Sequence, residues 1–204
     1  MNGILMIGKR GTNVASMDVS RSRRPRPPLD ERSLSELALS YVGRFSTTRA
    51  KLRSYLARKV RERGWGGERE PELAAIAEHF ATQGYIDDAG FALSQAHGLA
   101  ARGYGKRRLI EKLRSAGVED EDGADARGHS DAEAVTSALR FAERRRIGPF
   151  ATSANDDRKQ REKWIAAMLR AGHSFRLART IVDLPPGASI DEAALADHAQ
   201  LGDT

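Results

Sequence analysis

Apolar residues recur at helical spacing along this chain, and no window alternates apolar and polar residues for long enough to form a strand. The first apolar stripe has members at offsets of 0, 3, 4, 7, 8 and 11: Leu34, Leu37, Ala38, Tyr41, Val42 and Phe45. Residues at these offsets share one face of an α-helix. Comparable stripes follow as far as Val182, and glycine or proline separates most of them. The pattern predicts an all-α fold.

The predicted helices come in groups of three whose middle helices align. Leu52, Leu109 and Trp164 occupy the same place in their helices, which gives steps of 57 and 55 residues. The last two groups share a longer stretch, Leu113–Gly117 beside Met168–Gly172. Such a period is typical of repeat proteins, in which each unit covers an apolar face of its neighbour. We therefore expect three tandem three-helix repeats that form an elongated, curved array.

The expected repeats span residues 30–85, 86–130 and 131–184, between two charged tails. Residues 1–29 carry six Lys and Arg but one Asp, are rich in proline near their end and lack apolar periodicity, which predicts a disordered basic N-terminal tail. Residues 185–204 carry four acids and no Lys or Arg, which predicts an acidic C-terminal tail with one or two helical turns.

Some helix boundaries can also be predicted from residue type. Ser33 followed by Glu36 resembles a capping box at the start of the first helix. Ser46 or Thr47 is the expected N-cap of the second helix, and residues 119–130 are expected to form a short polar helix.

The residues that carry enzyme chemistry are scarce. The chain has no cysteine, which excludes disulfides, cysteine-bound zinc and thiol catalysis. The run Gly3–Arg10 matches a phosphate-binding loop except that Arg10 replaces the final Ser or Thr, and only two residues precede it where a strand is required. The five histidines lack metal-chelating spacing. We expect a protein that is not an enzyme and has no catalytic, cofactor or metal site.

Positive charge is the remaining functional signal. The net charge is +6, and arginine outnumbers lysine by 27 to 7. The charged helices are either solvated faces or a track for a polyanion or an acidic protein groove; the arginine excess alone also fits a bias in genome composition. The candidate contacts for DNA or for a protein filament are Arg102, Lys106, Arg107, Arg108, Lys112, Arg114, Arg144, Arg145 and Arg146. Further basic residues at Arg140 and along 158–163 extend this signal.

Two adjoining motifs in the middle of the chain resemble a known family. They read Gly84-Tyr85-Ile86-Asp87-Asp88-x-x-Phe91-Ala92 and Gly103-x-Gly105-x-x-Arg108-Leu109-Ile110-x-x-Leu113-x-x-x-Gly117-Val118. Both are similar to the RecX family of regulatory proteins, which modulate the bacterial RecA recombinase. Ala38–Val42 and Arg146–Phe150 also fit this family, and the resemblance covers roughly residues 34–184.

The resemblance implies three tandem three-helix repeats that bind in the groove of the RecA–DNA filament. It implies a protein that restrains the ATPase, strand exchange and coprotease activities of RecA in recombination, DNA repair and the SOS response. No apolar run approaches the roughly 20 residues that a membrane span needs, so we expect a cytoplasmic protein with no membrane contact. We also expect a monomer. The alternative is a helix-turn-helix-like repeat protein that binds DNA directly.

The motif residues themselves are expected to serve the architecture. Asp87 and Asp88 are candidate N-caps, and Tyr85 and Phe91 are candidate core or staple contacts. The full set of signature residues is Tyr85, Asp87, Asp88, Phe91, Gly105, Leu109, Leu113 and Gly117.

Overall fold

The structure is a computed structural model that describes residues 26–153 and 157–200. Its helices are α1 (Glu31–Val42), α2 (Arg49–Arg63), α3 (Leu73–Thr82), α4 (Asp88–Ala101), α5 (Lys106–Ala116), α6 (Ala124–Ala132), α7 (Ala134–Arg145), α8 (Arg158–Arg170), α9 (Phe175–Asp183) and α10 (Glu192–Gln200). A short 3-10 turn spans Gly148–Phe150. The predicted all-α fold is confirmed, since the described ranges contain no strand beyond an isolated bridge between Leu29 and Trp65.

The helices pack around three hydrophobic clusters in chain order. Helices α1 to α3 enclose Leu34, Leu52 and Leu56, whereas α4 to α6 enclose Leu109 and Leu113. Helices α7 to α10 enclose the largest cluster, which includes Met168, Ile181 and Leu195. We call these the first, second and third helix groups. Their order agrees with the periodicity of the sequence; that the groups are copies of one unit in an elongated, curved array stays a prediction.

The chain enters the first group earlier than its composition suggests. Leu29, which the sequence places in the basic tail, is fully buried and pairs with Trp65. Asp30 is the N-cap of α1, and the predicted cap Ser33 is instead the N3 residue whose side chain bonds back to the Asp30 backbone. Asp30 and Ser33 form the capping box, one turn earlier than the expected pair of Ser33 and Glu36. Residues 1–25 lie outside the described part of the chain.

The cap of α2 is also displaced from its expected position. Thr48, rather than Ser46 or Thr47, accepts a hydrogen bond from the Lys51 backbone N–H. The Thr48 hydroxyl donates to the carbonyl of Ala116 at 2.6 Å, so a contact with α5 selects this residue among three neighbouring hydroxyls.

Two helices differ in extent from their predictions. The polar helix expected at 119–130 begins at Ala124, and it packs closely on α4 because Ala92, Ala96 and Ala126 are small enough to let the two backbones approach. In the acidic C-terminal tail, the expected turn or two is a nine-residue helix, α10. Its Leu195 is buried against α7 and α9, so apolar burial outweighs the acidic composition of this segment.

Candidate functional site

Positive charge is concentrated on the middle helix of each group. Of the 34 Lys and Arg residues in the chain, seventeen lie on α2, α5 and α8, and each of these helices carries a single glutamate. By contrast, α1, α3, α4 and α6 together carry only Arg32 and Arg127. We call α2, α5 and α8 the basic helices.

The basic helices α2 and α5 meet end to end. The Thr48 hydroxyl at the start of α2 bonds the Ala116 carbonyl at the end of α5, and Ala50 lies so close to Gly117 that a Cβ there would clash. Gly117 also has a φ of 66°, a left-handed conformation that favours glycine. The shape of the contact therefore depends on Gly117. We call it the first joint.

The basic helices α5 and α8 meet in the same way. The Gly105 N–H donates to the Ala171 carbonyl at 2.9 Å, and the Arg107 N–H donates to the Gly172 carbonyl at 3.2 Å. A Cβ on Gly172 would lie 2.6 Å from the Arg108 nitrogen, which is closer than a side chain permits. This contact, the second joint, is thus made between two backbones.

His173 completes the second joint. It is buried, and its Nε2 lies 3.1 Å from the Gly103 carbonyl, so the neutral ring donates to that oxygen. Burial lowers the pKa of His173 to about 4, partly offset by this hydrogen bond. The ring is therefore uncharged near neutral pH and acts as a structural link.

The two joints link the basic helices in series, with the end of α8 at the start of α5 and the end of α5 at the start of α2. We call these three linked helices the basic spine. The segment before α1 covers the carboxyl end of α2. The Leu29 N–H donates to the Gly64 carbonyl at 2.9 Å, and the Arg63 side chain donates to the Pro27 carbonyl. The solvent-exposed basic side chains of the spine are Arg53, Arg58, Arg61, Arg107, Arg108, Lys112, Arg114, Arg158, Lys159, Lys163 and Arg170.

Four of the predicted contact residues, Arg107, Arg108, Lys112 and Arg114, are exposed on the spine. Arg108 also forms an ion pair with Glu111 within α5. Lys106 lies on the same helix, but it pairs with Asp131 at 2.9 Å.

The other predicted contacts lie at helix ends. Arg102 donates to the Gly98 carbonyl at 2.8 Å, and Arg144 donates to the Arg102 carbonyl, so both neutralise the carboxyl end of α4. Arg145 lies over the Phe141 ring, and Arg146 ends α7 in a left-handed conformation. These four residues are not on the spine.

The basic residues of α2 are not among the contacts predicted from the sequence. This helix carries seven Lys and Arg in fifteen residues, more than either of the other two basic helices. The number of Lys and Arg residues in each predicted helix would indicate α2 as a basic helix, even though it lies outside the family motifs.

The signature residues lie in the second group and at the two joints. Asp87 caps α4 through the Gly90 N–H. Asp88 does not cap α4 but accepts hydrogen bonds from Arg49, the first residue of α2, through its backbone N–H at 3.0 Å and its Nε at 3.1 Å. Phe91 is buried, whereas Tyr85, expected as a core or staple contact, is 55% exposed and contacts Phe80 by its edge. Leu109 and Leu113 are in the second cluster.

Residues suited to metal binding are not gathered in the described part of the chain, where no group of three or more His, Asp or Glu side chains could hold an ion. None of the described helices is both long and apolar enough to cross a membrane.

Comparison with known proteins identifies the family. No family model matches the chain. A curated regulatory protein RecX from Myxococcus xanthus (strain DK1622) is 32% identical over 178 residues, which cover 83% of this chain and 95% of that protein. The chain belongs to the RecX family of regulatory proteins. A second RecX relative, from Mycobacterium sp. (strain KMS), is 30% identical over 160 residues, 76% of this chain and 85% of its own.

Solved RecX structures share the fold. The crystal structure of RecX from Lactobacillus salivarius has a TM-score of 0.54 at 20% identity and covers 74% of this chain and 93% of its own. A second crystal structure of regulatory protein RecX has a TM-score of 0.51 at 19% identity and covers 74% of this chain and 70% of its own. The helical architecture is therefore that of RecX proteins.

Proposed function

We propose that this protein is a non-enzymatic regulator of a RecA-type recombinase, and mainly an inhibitor. It binds in the groove of the RecA–DNA filament and restrains ATP hydrolysis, strand exchange and coprotease activity in recombination, DNA repair and the SOS response. Membership of the RecX family supports the recombinase as partner. The observation that carries the proposal is the basic spine, three linked helices that present positive charge to a polyanionic or acidic groove.

The mechanism follows from the shape and charge of the spine. Arginine binds phosphate and carboxylate groups through paired hydrogen bonds, so exposed residues such as Arg107 and Arg108 fit both DNA phosphates and acidic protein side chains. A rigid element that contacts successive protomers opposes any step that moves them relative to one another. ATP hydrolysis and strand exchange are therefore slowed together.

The ATPase rate of preformed RecA–DNA filaments tests this proposal. We expect the rate to fall at substoichiometric amounts of the protein, because one molecule contacts several protomers. The double variant Arg107→Glu/Arg108→Glu should inhibit much less while keeping its helical circular dichroism. The matched control Arg32→Glu/Arg69→Glu reverses two exposed arginines off the spine and should inhibit normally. Unchanged ATPase and strand exchange with the unmodified protein would contradict the proposal.

Direct DNA binding without the recombinase is the second candidate function. It is favoured by the same concentration of Lys and Arg on the spine, because such a surface attracts phosphate regardless of sequence. Salt separates the two candidates. A DNA-binding protein loses affinity with a log–log slope of about −0.9 for each phosphate contact. A protein that binds the filament groove should keep much of its recombinase-dependent affinity over the same range of salt.

A further inference from the structure

A groove lies in the first helix group, between the start of α1, the segment before α3 and α3 itself. Its volume is about 570 Å³, within the range of about 300–1,000 Å³ that is usual for ligand pockets. No segment within residues 26–153 and 157–200 fills this space, which we call the α1–α3 groove. The side chains that line it are mostly apolar, namely Leu34, Trp65, Pro71, Ala75, Ile76 and Phe80.

The charged side chains at the α1–α3 groove are mainly acidic. Glu31, Glu70 and Glu72 line it against a single arginine, Arg69, and all four are exposed. Within the described ranges, none of the three glutamates forms an ion pair. A segment that combines apolar side chains with positive charge therefore suits this groove, because the charges would orient it and apolar burial would hold it.

The chain contains a segment of this kind before its described part. Residues 1–25 include one run of four apolar residues, Ile4–Ile7, and Lys9 and Arg10 follow it closely. The same run partly matches a phosphate-binding loop, for which Arg10 is the wrong final residue. Its apolar and basic composition is thus not explained by phosphate binding.

The described part of the chain begins beside the α1–α3 groove. Leu29 pairs with Trp65, which lines the groove, and the Leu29 carbonyl accepts a hydrogen bond from the Gly66 N–H at 2.8 Å. Eighteen residues, 8–25, separate the apolar run from this point, and they can span up to about 60 Å. A segment on such a tether has an effective concentration of about 1 mM, so a Kd of about 0.1 mM gives about 90% occupancy.

We propose that Ile4–Ile7 of the same chain docks in the α1–α3 groove, with Lys9 and Arg10 beside its glutamates. The apolar side chains of the run then cover Trp65 and Ile76, which are only half-buried in the described chain. Docking also holds the basic N-terminal segment close to the carboxyl end of α2, since Pro27–Leu29 already covers that end. The positive charge of the segment is thereby added to one end of the basic spine.

Fluorescence of Trp65 measures the docking in the full chain. The chain has two tryptophans, so Trp164→Phe leaves Trp65 as its only indole. In this background we expect Leu5→Asp/Ile7→Asp to raise the acrylamide quenching constant about twofold, because a segment docked about 90% of the time shields one side of the ring. The matched control Val14→Asp/Val19→Asp makes the same change of charge outside the run and should leave quenching unchanged.

A synthetic peptide of residues 1–12 supplies a second measurement. Added to the Leu5→Asp/Ile7→Asp chain, it should restore the shielding of Trp65 with a Kd of about 0.1 mM. Ala75→Arg places a bulky cation at an exposed position of the groove and should abolish peptide binding. Ala74→Arg is the matched control, since Ala74 is an exposed neighbour on α3 that does not line the groove. Circular dichroism of each variant checks that the fold is retained.

Three results would overturn the docking: quenching unchanged by Leu5→Asp/Ile7→Asp, an equal rise in the Val14→Asp/Val19→Asp control, or peptide binding that survives Ala75→Arg. Shielding that falls when the unmodified chain is diluted would assign the groove to a segment of a second copy, and docking within one chain would be wrong. These measurements use neither recombinase nor DNA, so their failure leaves the proposed function standing.

Discussion

His173 is the residue whose chemistry its surroundings change most. Its ring lies between the Gly103 carbonyl and the ring of Phe141, with centroids 5.8 Å apart, and is 2% exposed. A charged imidazole there would lose its hydration without gaining a carboxylate partner. The second joint therefore requires the neutral form.

The stability of the protein should depend on pH through this residue. The pKa of His173 is about 4 in the folded chain against an ordinary value of 6.5, so the unfolded chain takes up its proton first as the pH falls. Its contribution is complete above pH 6.5 and is lost as the pH approaches 4. From about pH 7.5 to pH 5 this residue should lower the free energy of unfolding by about 2 kcal/mol.

Urea unfolding at the two pH values measures the effect. The variant His173→Gln cannot be charged, so its free energy of unfolding should change less with pH by that amount. Equal pH dependence in both proteins would show that His173 is not held neutral.

At the scale of elements, the ends of the basic helices tolerate added side-chain atoms less well than exposed positions inside a helix. Gly105→Ala should cost about 2–4 kcal/mol, because the added Cβ would overlap the Gly172 carbonyl and the two backbones would have to separate. Gly98→Ala is the matched control: it lies inside α4 with nothing near its would-be Cβ, and should be neutral or stabilise by up to about 1 kcal/mol. Thermal unfolding of both variants compares them, and equal effects would contradict the close contact at the second joint.

The helices could be predicted from the sequence more reliably than their ends. Apolar spacing indicates which face of a helix is buried, so Leu109 and Leu113 were recognisable as core residues. The choice of Thr48 over Thr47 as a cap depends on the Ala116 carbonyl, 68 positions away, which no local pattern reports. The exposure of Tyr85 could not be predicted for the same reason, since it depends on where the chain turns before α4.

At the scale of the whole molecule, the two joints are held by different forces. Helices α4 and α6 pack directly on α7, so apolar contacts support the second joint. The first joint relies on the start of α2, where Arg49 reaches Asp88 and Asp122 beyond the first group. These ion pairs connect the first group to the start of α4 and to the segment before α6.

Removing the central charge should loosen the first group selectively. Arg49→Met leaves the Asp88 carboxylate, 3% exposed, with its backbone hydrogen bond but without its charged partner, which should cost about 3 kcal/mol. Amide hydrogen exchange should accelerate in α1 to α3 and remain slow in α7 to α9. The double variant Arg49→Met/Asp88→Asn should recover part of the loss, because the buried carboxylate is gone. An even acceleration across all three groups would contradict a local role.

The order of the helix groups could be predicted from the 57- and 55-residue steps, but the candidate site could not be predicted fully. Apolar periodicity indicates which face of a helix is buried. The contacts that link the basic helices lie at the helix ends, where periodicity gives no information. The glycine of the shared stretch, Gly117 in one group and Gly172 in another, was visible as a similarity of sequence. Only the structure shows that both are the points where one basic helix meets the next.

The linkage of α8, α5 and α2 in series has a consequence for orientation. At each joint the amino end of one helix meets the carboxyl end of another, so the three helices follow one another head to tail. The two extremities differ chemically: Pro27–Leu29 closes the α2 end, whereas the α8 end begins with the cap Asp157. The two ends of the spine are therefore not equivalent, and the spine is polar along its length. A polar filament, whose subunits all face one way, offers different contacts to the two possible orientations of the spine along its axis. It can therefore match only one of them.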